Sequence, residues 1–354
     1  MIAKNVSAMK WRLAVSIASL ALCALLLSTS GAWAANSWNG TTGTLTIDYP
    51  LAPLISTDFS RTGGLQQAMQ VLAINSLGTV RELIIKPSAA PGGTPATGGV
   101  ITWEDMWYIA TGQSTEASFD LATHGMENVV SIDCTGAHGP GVGAHISEGI
   151  GTFLTKLAFL SLPEGIEEIR RGAFISTDLR VVILPESLKS ISADVFSDDL
   201  RTVVFRGANP SLLTIEPEAF HSASGTLTVI VPPGTEGTYG NILGAAGVNT
   251  PVVSSVGTIT LTPATLPSTG GTVKASIAGS GFTGQTITVL RDGANPVVTT
   301  NNTATLASAD VVIPANTGTT AVSHDITVQV NGVLLPDVKA TVTVSAPTSP
   351  DVPA

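Results

Sequence analysis

Residues 157–174, LAFLSLPEGIEEIRRGAF, share their spacing of apolar positions with residues 179–196, LRVVILPESLKSISADVF. A third copy, residues 200–220, LRTVVFRGANPSLLTIEPEAF, carries three extra residues around Asn209 and Pro210 before it resumes at Leu212. Each copy opens with the spacing of a strand and ends in a segment typical of a turn or a short helix, whose Phe reaches the core. Units this short cannot bury an apolar face alone, so a period of about 22 residues predicts a solenoid of stacked units.

The motif in residues 162–174 resembles the BspA-type leucine-rich repeat, which occurs in surface proteins of host-associated bacteria and of some protist parasites. Residues 231–239, Val-Pro-Pro-Gly-Thr followed by Tyr239, resemble the motif that closes such arrays. The resemblance covers residues 126–245, is weaker upstream and is absent after residue 250. The Cys that usually follows the Phe is replaced by Ser176 or Asp198. The resemblance implies a capped leucine-rich-repeat domain over residues 35–250.

The segment before the clear repeats is interpreted as the irregular start of the same domain. Strands are predicted at residues 43–47, 80–85 and 126–132, and helices at residues 65–77 and 101–110. The first helix would cover the exposed end of the array. Trp103, Met106 and Trp107 lie along one face of the second helix, which favours core packing over a ligand platform.

Residues 1–34 have the features of a secretory signal peptide. Lys4, Lys10 and Arg12 precede an apolar run over residues 13–27, and Ala32-Trp33-Ala34 fits the small-x-small cleavage pattern. We expect cleavage after Ala34 and a secreted or cell-surface protein without a transmembrane segment, because no later stretch approaches ~20 apolar residues. The rival interpretation is lipidation at Cys23, against which Leu22 stands where a small residue is wanted.

Charge and cysteine content narrow the function classes further. Removing the three basic residues of the leader from 16 Lys and Arg leaves 13 against 26 Asp and Glu, a net charge near −13. A chain this acidic has no electrostatic reason to bind nucleic acid. Only Cys134 survives cleavage, so an intramolecular disulfide is excluded and the stability must come from packing.

The composition changes at Pro251, after which Thr, Val, Ala and Gly predominate in short alternating runs separated by turn residues. This pattern predicts an all-β sandwich of about seven strands over residues 251–345, followed by a disordered tail at residues 346–354. Thr262-Pro263 and residues 268–272 resemble bacterial Ig-like modules. The predicted fold class is α+β, mostly β: a short leucine-rich-repeat solenoid and an Ig-like sandwich, each with its own core and joined by a small polar contact.

No recognisable catalytic arrangement accompanies these patterns. Cys134, His138 and His145 have a spacing that could supply three zinc ligands, but it matches no familiar zinc module, and we favour a surface loop there. The chain has no Gly-x-Ser-x-Gly nucleophile turn, and residues 139–143 lack the Lys of a phosphate loop. We therefore expect no enzyme activity, no metal and no cofactor.

The strands of the repeats supply the candidate binding residues. Period-two alternation directs one row of side chains inward and leaves the other on the outer face of the sheet, which leucine-rich repeats commonly use for binding. This face is more apolar than an idle surface. The alternative is that a neighbouring loop or the N-terminal segment covers it. The candidate residues are Phe159, Ser161, Val181, Ile183, Thr202, Val204 and Ile230.

The function expected from these features is binding or adhesion outside the cell. The resemblance implies that the repeats bind a protein or glycan on a host, on a matrix or on another cell, with the Ig-like domain as a spacer or a second binding module. Two alternatives remain open: a structural component of a surface assembly, and a non-catalytic accessory of a glycan-processing system.

Overall fold

The fold is described from a computed structural model. It describes residues 37–48, 80–86, 128–134, 144–146, 151, 154–220, 227–248, 252–300 and 302–347. The expected signal peptide, the helices expected at residues 65–77 and 101–110, His138 and residues 348–354 of the tail lie outside these described residues.

The described chain is mostly β. Its first part holds twelve strands, a 3-10 turn at Pro210–Leu212 and the helix α1 at Glu236–Ala245. The twelve strands are β1 Ser37–Asn39, β2 Thr44–Asp48, β3 Glu82–Lys86, β4 Ser131–Asp133, β5 Ala144–Ile146, β6 Phe159–Ser161, β7 Ile166–Ile169, β8 Val181–Leu184, β9 Ser190–Ile191, β10 Thr202–Phe205, β11 Thr214–Ile215 and β12 Thr228–Val231.

The second part of the described chain, residues 252–347, is called the sandwich below, and the described residues from 128 to 248 are called the repeat region. The sandwich consists of eight strands, against about seven expected from the sequence. They are β13 Val252–Thr262, β14 Thr265–Leu266, β15 Gly271–Ser280, β16 Ile287–Arg291, β17 Ala294–Val298, β18 Leu306–Ile313, β19 Val322–Val330 and β20 Val333–Val344.

These strands form three sheets. The largest has eleven strands in the order β1-β2-β3-β4-β6-β8-β10-β12-β13-β15-β18, parallel from β2 to β13 and antiparallel beyond it. A parallel four-stranded sheet, β11-β9-β7-β5, belongs to the same repeats. The third sheet, β14-β20-β19-β16-β17, faces the antiparallel end of the largest sheet and completes the sandwich.

One row of side chains holds the repeats together. The register places one apolar residue of each successive parallel strand directly opposite the next, and every member is fully buried. Burying aliphatic side chains is the main favourable term in folding, and β-branched or leucine side chains suit the pleated surface. This inner row consists of Leu45, Leu83, Ile132, Leu160, Val182, Val203 and Val229.

The turns that close the repeats stack as well. The rings of Phe174 and Phe196 lie 6.1 Å apart and those of Phe196 and Phe220 5.1 Å apart, nearly parallel in both pairs. Two residues before each Phe the backbone is left-handed, with φ of 69° at Gly172, 53° at Asp194 and 66° at Glu218. The Gly172 amide donates to the Asp194 carbonyl, and the Asp194 amide donates to the Glu218 carbonyl, both at 3.0 Å. The three turns therefore share one backbone conformation.

The third repeat departs from the spacing expected from the sequence. Leu212, at the expected core position, is 67% exposed, and its neighbour Leu213 is buried instead. The inserted residues lead into the 3-10 turn at Pro210–Leu212, which lies just before β11. After this turn, the side chain that enters the core is one position later than the repeat spacing predicts. The core position is kept by the adjacent leucine, so the expectation for Leu212 was wrong by one residue.

Strand β13 belongs to both parts of the molecule. Residues Val252 to Ser255 pair in parallel with β12, and from Ser255 onward the same strand pairs antiparallel with β15. The expected small polar contact near Pro251 is therefore replaced by a continuous sheet. An apolar cluster also crosses this boundary, because Ile183, Val204 and Ile230 of the repeats pack with the sandwich core. The physical reason is that the outer face of β8, β10 and β12 is apolar and is removed from water by this contact.

We predict that Phe196→Ala lowers the free energy of unfolding by about 3–5 kcal/mol, because Phe196 is buried between two other rings and its removal leaves a cavity. Ile175→Ala is the matched control, since Ile175 is half exposed and should change little. Urea unfolding of both variants measures the difference. Equal stability of the two variants would contradict the stacked arrangement.

We also predict that the repeat region and the sandwich unfold together, in one calorimetric transition. A chain ending at residue 250 would expose Ile183, Val204 and Ile230 and leave β12 without its partner β13. We expect that shortened chain to bind a dye specific for exposed apolar surface and to melt below the full chain. Two independent transitions in the full chain would show that the shared strand does not couple the two parts.

Candidate functional site

The outer-face residues proposed from the sequence are covered. Their alternation is as expected, but Ser161, Ile183, Thr202, Val204 and Ile230 are all buried. Phe159 and Val181 are half-buried and pack against the same apolar cluster as the sandwich. The core of the sandwich packs on the apolar members of this face. These seven side chains do not form an open binding face.

A cleft of about 380 Å³ remains where the sandwich meets the repeats. We call it the junction cleft. Its floor is formed by Ile183, Val204 and Ile230 of the predicted face, each of which is at most 6% exposed. Its other lining residues are Phe205, Arg206, Val231, Pro232, Pro233, Val256, Gly257, Thr258, Leu335, Asp337 and Val338.

Irregularities in two strands shape the junction cleft. In β13 the pairing with β15 shifts between Val256 and Ile259, which places Gly257 and Thr258 at a bulge. In β20, Leu335 and Lys339 lie opposite the adjacent residues Val328 and Thr327, so residues 336–338 lie outside the ladder. Both irregular segments contribute lining residues. Bulges bend strands and redirect side chains, and here they form two walls of the cleft.

Arg206 joins the repeats to the sandwich at the edge of the cleft. Its Nε donates to Asp337 Oδ2 at 2.8 Å and its Nη2 to Asp337 Oδ1 at 3.1 Å, which is a bidentate contact. Its Nη1 donates to Glu164 Oε1 at 2.8 Å. The Arg206 side chain is only 17% exposed, whereas that of Asp337 is 59% exposed. The guanidinium group thus holds the β20 bulge against the end of β10.

Glu164 is positioned by the repeat that follows it. Its two carboxylate oxygens accept hydrogen bonds from the backbone amides of Glu186 and Ser187, at 3.2 Å and 3.3 Å. The Ser187 hydroxyl donates in turn to the Ile166 carbonyl at 2.8 Å. These hydrogen bonds fix the Glu164 carboxylate within the repeats. Because Arg206 donates to this carboxylate, its guanidinium is oriented by the repeats as well as by Asp337.

The closing helix α1 packs against the same end of the repeats. The buried Tyr239 ring lies 4.7 Å from that of Phe205, and its hydroxyl donates to the Gly207 carbonyl at 2.8 Å. Burial, together with the negative charge of Glu186, raises the pKa of Tyr239 to about 12. The phenol is therefore neutral and serves as a hydrogen-bond donor at neutral pH, with Glu186 as a further carboxylate nearby.

Glu236 ties α1 to the shared strand. Its Oε1 accepts hydrogen bonds from Ser255 Oγ at 2.5 Å and from Ser280 Oγ at 2.8 Å. These bonds, with that from Ser255 as the largest cause, lower the pKa of Glu236 although partial burial acts in the opposite direction. The ionised carboxylate thus connects the helix, β13 and β15 just beyond the cleft.

The zinc interpretation finds no assembled ligand set in the described part of the chain. Cys134 is fully buried, and burial and the charge of Asp133 raise the pKa of its thiol far above the ordinary value. A thiol held in this state is a poor metal ligand. His145 is half-buried in β5, and no group of three or more His, Cys, Asp and Glu residues among those described could hold a metal ion.

Sequence reasoning missed Arg206 and Asp337, although one signal was present. In the first two repeats a proline, Pro163 or Pro185, follows the strand, whereas the third repeat has Arg206 at that position. A basic residue where the repeat otherwise carries proline indicates a position with a separate role. Asp337 had no comparable signal, because a single acidic residue in a β-rich segment is ordinary.

Comparison with protein-family models, with curated proteins and with solved structures gives no match for this chain. In the portion of the chain that the structure describes, none of the helices has the length and apolar character needed to cross a membrane.

We predict that Arg206→Ala lowers the free energy of unfolding by about 1–3 kcal/mol, since it leaves the largely buried Glu164 without its charged donor. Arg201→Ala is the control at the other end of β10, because Arg201 and Asp199 form an exposed 3.8 Å pair. The control should cost less than about 1 kcal/mol. Denaturant unfolding checks both, and an equal loss in the two variants would contradict a special role for Arg206.

Proposed function

We propose that the chain is an exported binding protein of the cell surface or extracellular space. In this proposal a short BspA-type leucine-rich-repeat array is fused to an Ig-like sandwich, and the signal peptide ends at Ala34. The inner row and the Phe stack support the repeat assignment, because equivalent side chains of the successive repeats lie next to one another. The partner is a protein or glycan of a host, of a matrix or of another cell.

The observation that carries the proposal is the junction cleft. Binding sites are typically concave and mostly apolar, with a few placed polar groups and volumes of about 300–1,000 Å³. The cleft has this composition, with an aliphatic floor and the Arg206–Asp337 pair at its edge. Its walls come from both parts of the molecule, so binding requires the repeats and the sandwich together. The proposed site therefore combines a part of the strand face that leucine-rich repeats commonly use with residues of the sandwich.

Filling the cleft tests this proposal. Thr258 lies at the β13 bulge, lines the cleft and is exposed, so Thr258→Trp should occlude the cleft without disturbing the core. Thr260→Trp is the matched control, because Thr260 is exposed on the same strand and does not line the cleft. Both variants should keep the melting temperature of the parent protein.

The measurement uses residues 35–354 against a defined panel of extracellular-matrix proteins, host surface proteins and arrayed glycans. We expect a bound partner whose affinity falls at least about tenfold in Thr258→Trp, since its buried apolar contacts are lost, and is unchanged in Thr260→Trp. A partner that binds both variants equally, or a panel with no bound member, would contradict the proposal.

A further inference from the structure

The charges around the junction cleft are unequal in number and in exposure. Among the described residues that line it, Arg206 is the only basic one. Its guanidinium donates to the carboxylates of Glu164 and Asp337, and of these two acidic residues Asp337 lines the cleft. One cation therefore stands against two carboxylates, so this group of charges at the edge of the cleft is negative overall.

The charged side chains at the edge of the cleft also differ in how far they are exposed to solvent. All three contacts of the Arg206 guanidinium are to carboxylate oxygens, and its side chain is 17% exposed. The Asp337 side chain is 59% exposed and retains accepting capacity, because each carboxylate oxygen has two lone pairs. The positive group is thus covered while a negative one faces solvent. Of the two charged side chains that line the cleft, that of Asp337 is therefore the more accessible.

We propose that the junction cleft binds a basic side chain, Lys or Arg, flanked by apolar residues in an exposed segment of a partner protein. This inference rests on the proposed function. Lys and Arg side chains place an aliphatic stem along apolar surface while the charged head stays in water. The floor of Ile183, Val204 and Ile230 accepts the stem, and Asp337 lies at the rim for the head.

The size and chemistry of the cleft favour a peptide segment over a glycan. A volume of about 380 Å³ accommodates a few side chains and excludes a folded domain. An aliphatic floor offers no partners for sugar hydroxyls, whose burial without hydrogen bonds is costly. A neutral glycan also makes no use of the carboxylates. A lysine flanked by valines offers apolar groups to the aliphatic floor and an ammonium group to the Asp337 carboxylate at the rim.

Three short peptides test the role of charge. They are acetyl-Val-Lys-Val-amide and the same peptide with norleucine or Glu in place of Lys, added to residues 35–354 and followed by ligand-observed NMR titration. We expect the Lys peptide to bind most tightly, the norleucine peptide about twofold to fivefold more weakly, and the Glu peptide more weakly still. Raising the salt concentration should narrow these differences. Equal affinities for Lys and norleucine, or a preference for Glu, overturn the inference.

Site variants identify where the discrimination arises. Asp337→Asn should reduce the preference for Lys over norleucine, whereas Asp310→Asn, an exposed position on β18 outside the cleft, should retain it. Thr258→Trp should abolish binding of all three peptides and Thr260→Trp should not. A preference for Lys that survives both Asp337→Asn and Thr258→Trp lies outside the cleft and overturns the inference.

The two proposals fail separately. If a neutral glycan of the panel binds and is lost in Thr258→Trp while none of the peptides binds, the junction cleft is a binding site and the inferred ligand class is wrong. If neither a panel member nor a peptide responds to Thr258→Trp, both proposals are wrong. Peptide binding that depends on Lys, Asp337 and an open cleft supports the inferred ligand class, and together with a panel member that is lost in Thr258→Trp it supports both.

Discussion

The structure depends on the burial of the apolar outer face of β8, β10 and β12 beneath the sandwich. Ile183, Val204 and Ile230 are each at most 6% exposed and belong to the same cluster as the core of the sandwich. Without that cover, three aliphatic side chains of adjacent strands would face water as one patch. Strand β13 makes the cover possible, because it continues the parallel ladder and then becomes a strand of the sandwich.

The third repeat departs from the pattern of the first two repeats at this junction. Where the first two repeats carry proline after the strand, it has Arg206, which binds Asp337 of the sandwich. The next residue, Gly207, accepts the hydrogen bond of Tyr239, and a Cβ atom added there would lie 3.2 Å from the Tyr239 hydroxyl. The inserted residues follow immediately. Each departure from the repeat pattern thus serves the closing helix, the sandwich or the change of register before β11.

The junction between the repeats and the sandwich is held by hydrogen bonds and also contains the open junction cleft. The repeat side orients Arg206 through Glu164, and α1 is tied to β13 and β15 through Glu236. The junction cleft lies between the two parts, and the bulges of β13 and β20 contribute residues to its lining. A site walled by two covalently linked and tightly packed parts is preorganised, which reduces the ordering cost of binding.

The local pattern of the sequence by itself determined the repeat period, the inner row, the Phe positions and the β-rich second half. These features follow from spacing within about 22 residues, and alternation along a strand decides which side chains point to the core. The sequence also showed that the outer face is apolar, and it left open whether that face is free or covered.

Only the tertiary structure decided that the sandwich covers this face and that β13 belongs to both parts. The deciding contacts join residues far apart in the chain, as Arg206 and Asp337 do across 131 positions. No local periodicity records which distant surface meets an apolar face, because burial is favourable against any complementary apolar partner. The bulges that open the cleft depend on the register of paired strands, which arises only when the sheet has assembled.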